Sequence, residues 1–320
     1  MATKLPKEDS SSLFDKKEYF LKPHESEYLE KNIHELEALS SEIYRFLLGN
    51  NRAPKVRVLL DENDKVWGTV SKKIGNYKSF YDVLKEKNKR IPNKKLIEAG
   101  FGSLMAASYI MEENDLHGGN YGFNDEGKLC RIDFDQNLLP LFSSAYLKQR
   151  PSVDTLNALL SRKLDKGNYP LKEAYNFQND STGLVEMEKN EEFCIDKWKT
   201  FVKLCLLTKE NINAMLQPHV KQGFNLSLYS DYIYKRAQAI KEELLKSEDF
   251  RMTFLRHSQN IISSIKKEVN DYNQQFKDKY SDRKIPINEI ELNNLFQKVY
   301  SETLKQQSLS AKEATKERGR

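Results

Sequence analysis

Short apolar runs and one amphipathic stretch alternate along the N-terminal third of the chain, a pattern typical of a mixed α/β unit. Residues 18–22 predict a short strand. Residues 27–48 place apolar side chains three or four positions apart, which predicts a helix. Residues 55–60 and 65–71 are apolar or alternating around a polar turn, and they predict a hairpin.

The next part of the pattern leads into a polar loop. Residues 79–87 predict a short helix, and residues 93–113 predict a longer and mostly apolar one. Residues 115–120 then read Asp-Leu-His-Gly-Gly-Asn. Two short apolar segments follow, 121–123 and 128–134, with an Asn-Asp-Glu-Gly turn between them.

Beyond residue 142 the pattern changes. Residues 163–190 are polar and loop-like, and residues 193 to about 303 have helical periodicity almost throughout. Residues 306–320 are charged and polar, which predicts a disordered tail. Strands confined to the first half and helices filling the second favour an α+β fold.

The composition fits a polar protein with enough apolar residues to form a core. Of 320 residues, 38% are hydrophobic and 31% charged, and the 16 Phe and 16 Tyr argue against wholesale disorder. No apolar run approaches the roughly 20 residues that cross a bilayer. The first residues contain no apolar segment of the kind found in a secretory signal peptide.

Cysteine usage and net charge argue against three further classes of protein: disulfide-rich, zinc-thiolate and nucleic-acid-binding. The three cysteines are an odd number without a Cys-x-x-Cys pair, so we expect reduced thiols rather than a disulfide scaffold or a thiolate zinc site. Lys+Arg exceed Asp+Glu by 52 − 47 = 5. An excess this small does not indicate nucleic acid as a partner.

The positive charge is concentrated in one segment. Asp82 and Glu86 are the only acidic residues within a basic segment of nine cationic residues: Lys72, Lys73, Lys78, Lys85, Lys87, Lys89, Arg90, Lys94 and Lys95. We predict a polyanion site here, for an inositol polyphosphate, a phosphoinositide head group or an acidic substrate. An ordinary solvated face remains the alternative.

The loop at 115–120 and the segment Ile132-Asp133-Phe134 carry the chemistry. Phosphoryl transfer from ATP needs one carboxylate to orient the acceptor hydroxyl, and an amide oxygen and a second carboxylate to hold Mg²⁺. Asp115 and Asn120 lie 120 − 115 = 5 residues apart on one loop, and Asp133 follows 133 − 120 = 13 residues later. A short hairpin between them would bring Asp133 back beside Asn120.

This pattern resembles the protein-kinase-like superfamily, and it is closest to the phosphoinositide-kinase-like and HipA-like branches. The sequence around both motifs resembles the atypical kinases among Legionella effectors. The similar stretches cover roughly residues 8–142, and more weakly the helical part after 193: EYFLKP, EALSSEIYRFLLGN, PKVRVLLD, GTVSKKI, DLHGGNYGF and RIDFDQNL.

The resemblance implies a role for each residue of the two motifs. Asp115 would be the catalytic aspartate, and Asn120 and Asp133 would be metal ligands. His117 would be structural or would face the phosphates. Lys22, at the end of its strand, would pair with the ATP phosphates.

The resemblance also leaves alternatives open. Glu37 is the first choice for the glutamate that fixes Lys22, and Glu42 is the alternative. Lys72 competes with Lys22 as the phosphate lysine, because it also ends a strand. We prefer Lys22, since a helix and two further strands then follow it, as in the N-lobe of kinases.

The sequence departs from the family pattern at two places. No Gly-x-Gly-x-x-Gly segment precedes Lys22. Ser10, Ser11 and Ser12 would cap the phosphates in its place. Asp135 stands where the family has a glycine after the phenylalanine. It either adds a carboxylate near the metal or only alters the loop.

On this resemblance we expect a compact two-lobe core, residues 1–225, with an N-lobe at about 8–75 and a C-lobe at about 76–225. Residues 226–305 would form a helical extension, a candidate phosphoinositide, membrane or partner module. The expected cofactors are ATP and Mg²⁺ or Mn²⁺.

The expected reaction transfers the γ-phosphoryl group to a Ser or Thr hydroxyl of a host protein. The chain would be a translocated bacterial effector in the host cytoplasm or peripherally on host membranes, with an inositol polyphosphate as candidate activator. A phosphoinositide kinase, an AMP-transferring enzyme and a membrane-tethered pseudokinase adaptor are the alternatives.

Overall fold

The computed structural model combines two small sheets with a helical second half, which confirms the α+β class. It describes residues 3–4, 18–23, 33–87, 91–113, 115–141, 150–160, 186–220, 225–276, 284–286 and 289–318. Ser10, Ser11, Ser12, Lys89 and Arg90 lie outside these ranges, as do residues 27–32 of the first predicted helix and most of the polar segment 163–190.

The first sheet contains four strands in the order β1-β3-β4-β2: β1 (Thr3–Lys4), β2 (Tyr19–Pro23), β3 (Val56–Leu60) and β4 (Val66–Lys72). β1 pairs with β3 in parallel, and the other two pairs are antiparallel. β3 and β4 form the predicted hairpin. β2 is an edge strand, and its register places Lys22 opposite Thr69.

Helix α1 (Ile33–Leu48) packs against β3 and β4 of this sheet. Its apolar positions Leu36, Leu39, Ile43 and Leu47 recur at helical spacing and are all buried in the core. Every residue of α1 is buried, including three glutamates, an arginine and a histidine. Such burial requires partners for the charged side chains, and these partners define much of the site described below.

The polar loop at residues 115–120 leads directly into a second sheet. Its strands are β5 (Lys78–Ser79), β6 (Tyr121–Phe123) and β7 (Leu129–Arg131), all antiparallel and in that order. The helices that precede the loop are α2 (Phe80–Lys87), α3 (Asn93–Glu98) and α4 (Phe101–Ile110). The short β6–β7 hairpin returns the chain to the loop, as the spacing predicts.

One long helix was expected over residues 93–113, but α3 and α4 are separate. Gly100 adopts φ +87°, in the left-handed region that favours glycine. The guanidinium of Arg52 fills the space beside it and donates to the Gly100 carbonyl at 2.8 Å. The helical periodicity continues through this break, which is why the sequence pattern does not reveal it.

The second half is helical: α5 (Val153–Asn157), α6 (Glu191–Cys205), α7 (Lys209–Leu216), α8 (Leu226–Lys246), α9 (Glu248–Asn273) and α10 (Glu289–Arg318). 3-10 turns lie at Leu139–Leu141 and Gln217–His219. α6 packs on both α4 and α9, with Trp198 and Phe201 fully buried. Among the described helices, none is long and apolar enough to cross a membrane.

The expectation of a disordered tail at residues 306–320 requires correction, because α10 continues to Arg318. Gln, Ala, Lys, Glu and Arg dominate this segment, and they are strong helix formers although most of them are polar. Low hydrophobicity predicted disorder here, whereas helix propensity extends a helix that is already anchored by buried Leu292, Leu295 and Val299. The domain boundaries remain predictions.

Candidate active site

Lys22 contacts the second of the two predicted motifs, the segment around Asp133. Its ammonium Nζ contacts Asp133 Oδ1 at 3.1 Å and Asp135 Oδ2 at 2.6 Å, across 111 and 113 residues of sequence. Burial alone would lower the pKa of Lys22. The negative charges of Glu37, Asp133 and Asp135 outweigh burial and raise this pKa, so the lysine is cationic.

Glu37 projects from α1 toward the same cluster. Its Oε2 accepts a hydrogen bond from Thr69 Oγ1 at 2.9 Å, and Thr69 is the strand partner of Lys22. Burial raises the pKa of Glu37 to about 7, and the charge of Lys22 opposes this rise. The direct ion pairs of Lys22 are with the two aspartates, so Glu37 acts on the lysine from a longer distance.

Glu42, the alternative glutamate, faces another part of the protein. It forms an ion pair with Arg45 at 2.8 Å and accepts a hydrogen bond from Tyr272 of α9 at 2.6 Å. Burial would raise its pKa, but these partners and His219 lower it to about 2. The structure therefore places Glu37 at Lys22 and Glu42 at the junction with the C-terminal helices.

The loop at 115–120 is closed by its own side chains. Asn120 Nδ2 donates to Asp115 Oδ2 at 2.8 Å and to the Asp115 carbonyl at 3.1 Å. The Gly119 amide donates to His117 Nδ1 at 3.0 Å, which leaves His117 Nε2 to face Asp115 Oδ2 at 3.5 Å. The loop thus holds one oxygen of the Asp115 carboxylate and orients the amide of Asn120.

A hydrogen bond joins this loop to the segment that carries Asp133. The Ile132 amide donates to the Asn120 carbonyl at 2.9 Å, directly beyond the β6–β7 pairing. Arg131 Nη1 donates to the same carbonyl at 2.8 Å. Asp133 therefore follows a residue whose backbone is bonded to Asn120, which places the backbones of the two predicted metal ligands near each other.

A buried ion pair supports both segments. Arg131 Nη2 contacts Glu113 Oε2 at 2.7 Å, and both side chains are 0% exposed. The other oxygen, Glu113 Oε1, accepts the Asp115 amide at 2.9 Å. Tyr44 of α1 donates to Glu113 at 3.4 Å. Reasoning from the sequence missed this pair, although charged residues next to apolar strands were a signal, since burial requires such residues to be paired.

The backbone at Asp133 is strained. Its φ of +60° is in the left-handed region, which is uncommon for a residue other than glycine and costs on the order of 1 kcal/mol. The next residue, Phe134, is fully buried and packs on the ring of Tyr44 with 4.9 Å between centroids. Burial of Phe134 fixes the segment, so that Asp133 and Asp135 both reach Lys22.

Only some lysines of the basic segment are left exposed. Lys78 pairs with Glu86 at 2.8 Å, and Lys94 lies 3.9 Å from Glu98. Lys73 and Lys95 lie over the rings of Phe20 and Phe123. The side chains of Lys72 and Lys85 are exposed, and Lys72 ends β4 away from the contacts of Lys22; that of Lys87 is not described. The polyanion site stays a prediction.

The donor set fits a magnesium or manganese ion bound together with a nucleotide. Carboxylate and amide oxygens suit such hard cations, which commonly take one or two protein ligands and complete their shell with phosphates and water. Asn120 uses its amide nitrogen within the loop, and Asp133 is 39% exposed. In the described part of the chain no three His, Cys, Asp or Glu side chains are gathered as a closed metal site.

Comparison with known proteins adds little to this geometry. No protein-family model matches the chain, and no curated protein matches it. Among solved structures, the chain is similar to the Helicobacter pylori proinflammatory kinase CtkA, with 16% sequence identity and a TM-score of 0.43. The match covers 72% of this chain and 86% of that chain. A similarity at this level carries no argument about the function of this chain.

Proposed function

We propose that the chain is an ATP-dependent phosphotransferase. The observation that supports this most is the meeting of Lys22 with Asp133, 111 residues away, beside a loop that holds Asp115 and Asn120. Each group has a use in phosphoryl transfer: a cation for the phosphates, a carboxylate for the acceptor and oxygen ligands for a metal.

In the proposed reaction the acceptor hydroxyl attacks the γ-phosphorus of ATP. A new oxygen–phosphorus bond forms, the bond to the bridging oxygen of ADP breaks, and Asp115 accepts the hydroxyl proton. Hydrogen bonds from Asn120 hold Asp115 in place, so catalysis relies on positioning and on charge. Asn120 and Asp133 would hold Mg²⁺ or Mn²⁺, which neutralises charge on the phosphates when bound.

Glu37 and Thr69 support Lys22 in this proposal. Thr69 lies opposite Lys22 in the sheet and donates to Glu37, so the strand and α1 are joined directly behind the lysine. When it is ionised, Glu37 supplies a negative charge that favours the cationic form of Lys22. Glu37 therefore fits the glutamate position better than Glu42, whose carboxylate is occupied elsewhere.

We further propose, on the family resemblance, that the acceptor is a Ser or Thr hydroxyl of a host protein. On the same ground the chain would act as a translocated bacterial effector in the host cytoplasm or on host membranes. The exposed lysines of the basic segment support a polyanionic activator such as an inositol polyphosphate. Each of these points needs its own measurement.

The first experiment incubates the purified protein with γ-³²P-ATP and Mg²⁺ or Mn²⁺, beside Asp133→Ala. We expect label on protein and a loss of about 100-fold or more in the variant. Asp125→Ala is the matched control, since Asp125 is an exposed aspartate in the turn of the β6–β7 hairpin, which precedes Asp133 in the chain. Its labelling should equal that of the wild type.

Each other outcome has a defined meaning. Label from α-³²P-ATP but not from the γ position indicates AMP transfer, and label on phosphoinositide but not on protein indicates a lipid kinase. No transfer to either acceptor under any condition contradicts the proposal and favours a pseudokinase adaptor. Equal labelling by Asp133→Ala would also contradict it.

The activator is tested in the same assay with an inositol polyphosphate. We expect stimulation that weakens with salt and is lost when Lys85, Lys87, Lys89 and Arg90 are replaced by glutamine. Equal stimulation of this variant and the wild type would reject the basic segment as the polyanion site.

A further inference from the structure

Asp135 makes the shorter of the two ion pairs that hold Lys22, at 2.6 Å against 3.1 Å for Asp133. Its side chain is also less exposed, at 17% against 39%. Because attraction between charges increases as water is excluded, Asp135 is the stronger partner of the lysine.

Asp135 also differs from Asp133 in what else it serves. Asp133 is placed to bind a metal ion with Asn120, so it has a second cation available when the nucleotide binds. Among the described side chains, Lys22 is the ion-pair partner that the structure gives to Asp135. Phe134 anchors the segment in the core, so Asp135 stays near this lysine.

We propose that Asp135 is a counter-ion that holds Lys22 in the nucleotide-free protein and releases it when ATP phosphates bind. This inference rests on the proposed function, since it takes Lys22 as the phosphate-binding lysine. The carboxylate and the phosphates compete for one ammonium group, and the carboxylate repels the phosphates as well. Asp135 is thus a positioning residue that weakens nucleotide binding.

Titration calorimetry with ATP tests the inference, once in EDTA and once with Mg²⁺. Asp135→Asn removes the charge and keeps the size, and we expect the Kd for ATP to fall about tenfold in both conditions. Asp125→Asn is the matched control. It makes the same charge change on the exposed hairpin turn, and its Kd should stay within about twofold of the wild type.

An unchanged or higher Kd for Asp135→Asn in EDTA overturns the inference. Weaker binding only with Mg²⁺ overturns it in favour of Asp135 as a metal ligand. We expect the same decrease in Kd for Asp135→Ser. Circular dichroism shows which of the two variants are folded, and only a folded variant is used to judge the inference. If the wild type and both variants all fail to bind ATP, the proposed function itself fails. Equal affinity of the wild type and variants overturns the inference alone.

Discussion

His219 predicts a pH dependence of stability that can be calculated from the structure. It is buried between β3 and α1, where Arg57 Nη1 lies 2.7 Å from its Nδ1 and Glu42 Oε2 lies 3.4 Å from its Nε2. An arginine only donates, so Nδ1 must accept, and Nε2 carries the single ring proton toward Glu42. The contacts therefore require a neutral ring.

The pKa of His219 agrees with this geometry. Burial and the positive charges of Arg57 and Arg45 lower it to about 3, against the opposing attraction of Glu42. In the unfolded chain the pKa is about 6.5. Below about pH 6.5, His219 binds a proton in the unfolded state but stays neutral in the folded state. The free energy of unfolding therefore decreases as the pH falls.

The size of the effect follows from linkage. Between pH 8 and pH 5 this one group removes about 2 kcal/mol from the free energy of unfolding. The result hardly depends on the folded pKa, because any value below about 4 leaves the buried ring neutral at pH 5. The window therefore lies from about pH 6.5 downward.

The assay compares urea unfolding of the wild type, His219→Gln and His219→Asn by circular dichroism at pH 8, 6.5, 5.5 and 5. The two variants will differ in absolute stability because their side chains differ in size. Both should lose about 2 kcal/mol less than the wild type between pH 8 and pH 5. Equal losses in all three proteins would refute a buried neutral His219.

Three further changes test buried contacts in and around the site and at the junction with the C-terminal helices, each by urea unfolding at pH 7.5. Glu113→Gln leaves the charge of Arg131 buried without its partner and should cost about 3 kcal/mol or more, with a loss below 1 kcal/mol arguing against the pair. Tyr272→Phe removes a hydrogen bond to ionised Glu42 and should cost about 2 kcal/mol, whereas unchanged stability would show that the helices do not hold α1 there. Gly122→Ala places a methyl group against a carbonyl oxygen of β5 and should cost about 2 kcal/mol, while a neutral result would mean that the strands separate easily.

Local elements of the site could be predicted because short-range pattern determines them. The β6–β7 hairpin is set by a turn sequence between two apolar segments, and it returns Asp133 to Asn120 as the spacing indicates. The hairpin of β3 and β4 and the helical second half follow from periodicity in the same way.

The choice between Glu37 and Glu42 could not be made from the sequence. Both lie on one helix that is buried on all sides, so helical periodicity assigns neither of them to the sheet. The decision comes from partners that are distant in sequence: Thr69 for Glu37, and Tyr272, 230 residues away, for Glu42.

The sequence by itself determined the fold class, the hairpins and the polar residues that a phosphotransferase would need, because turn chemistry and hydrophobic periodicity act over a few residues. Only the tertiary structure decided which charges meet. It placed Asp135 on Lys22 and buried Arg131 against Glu113. Ion pairs depend on distance and burial in space, and neither quantity is encoded in the local pattern of the chain.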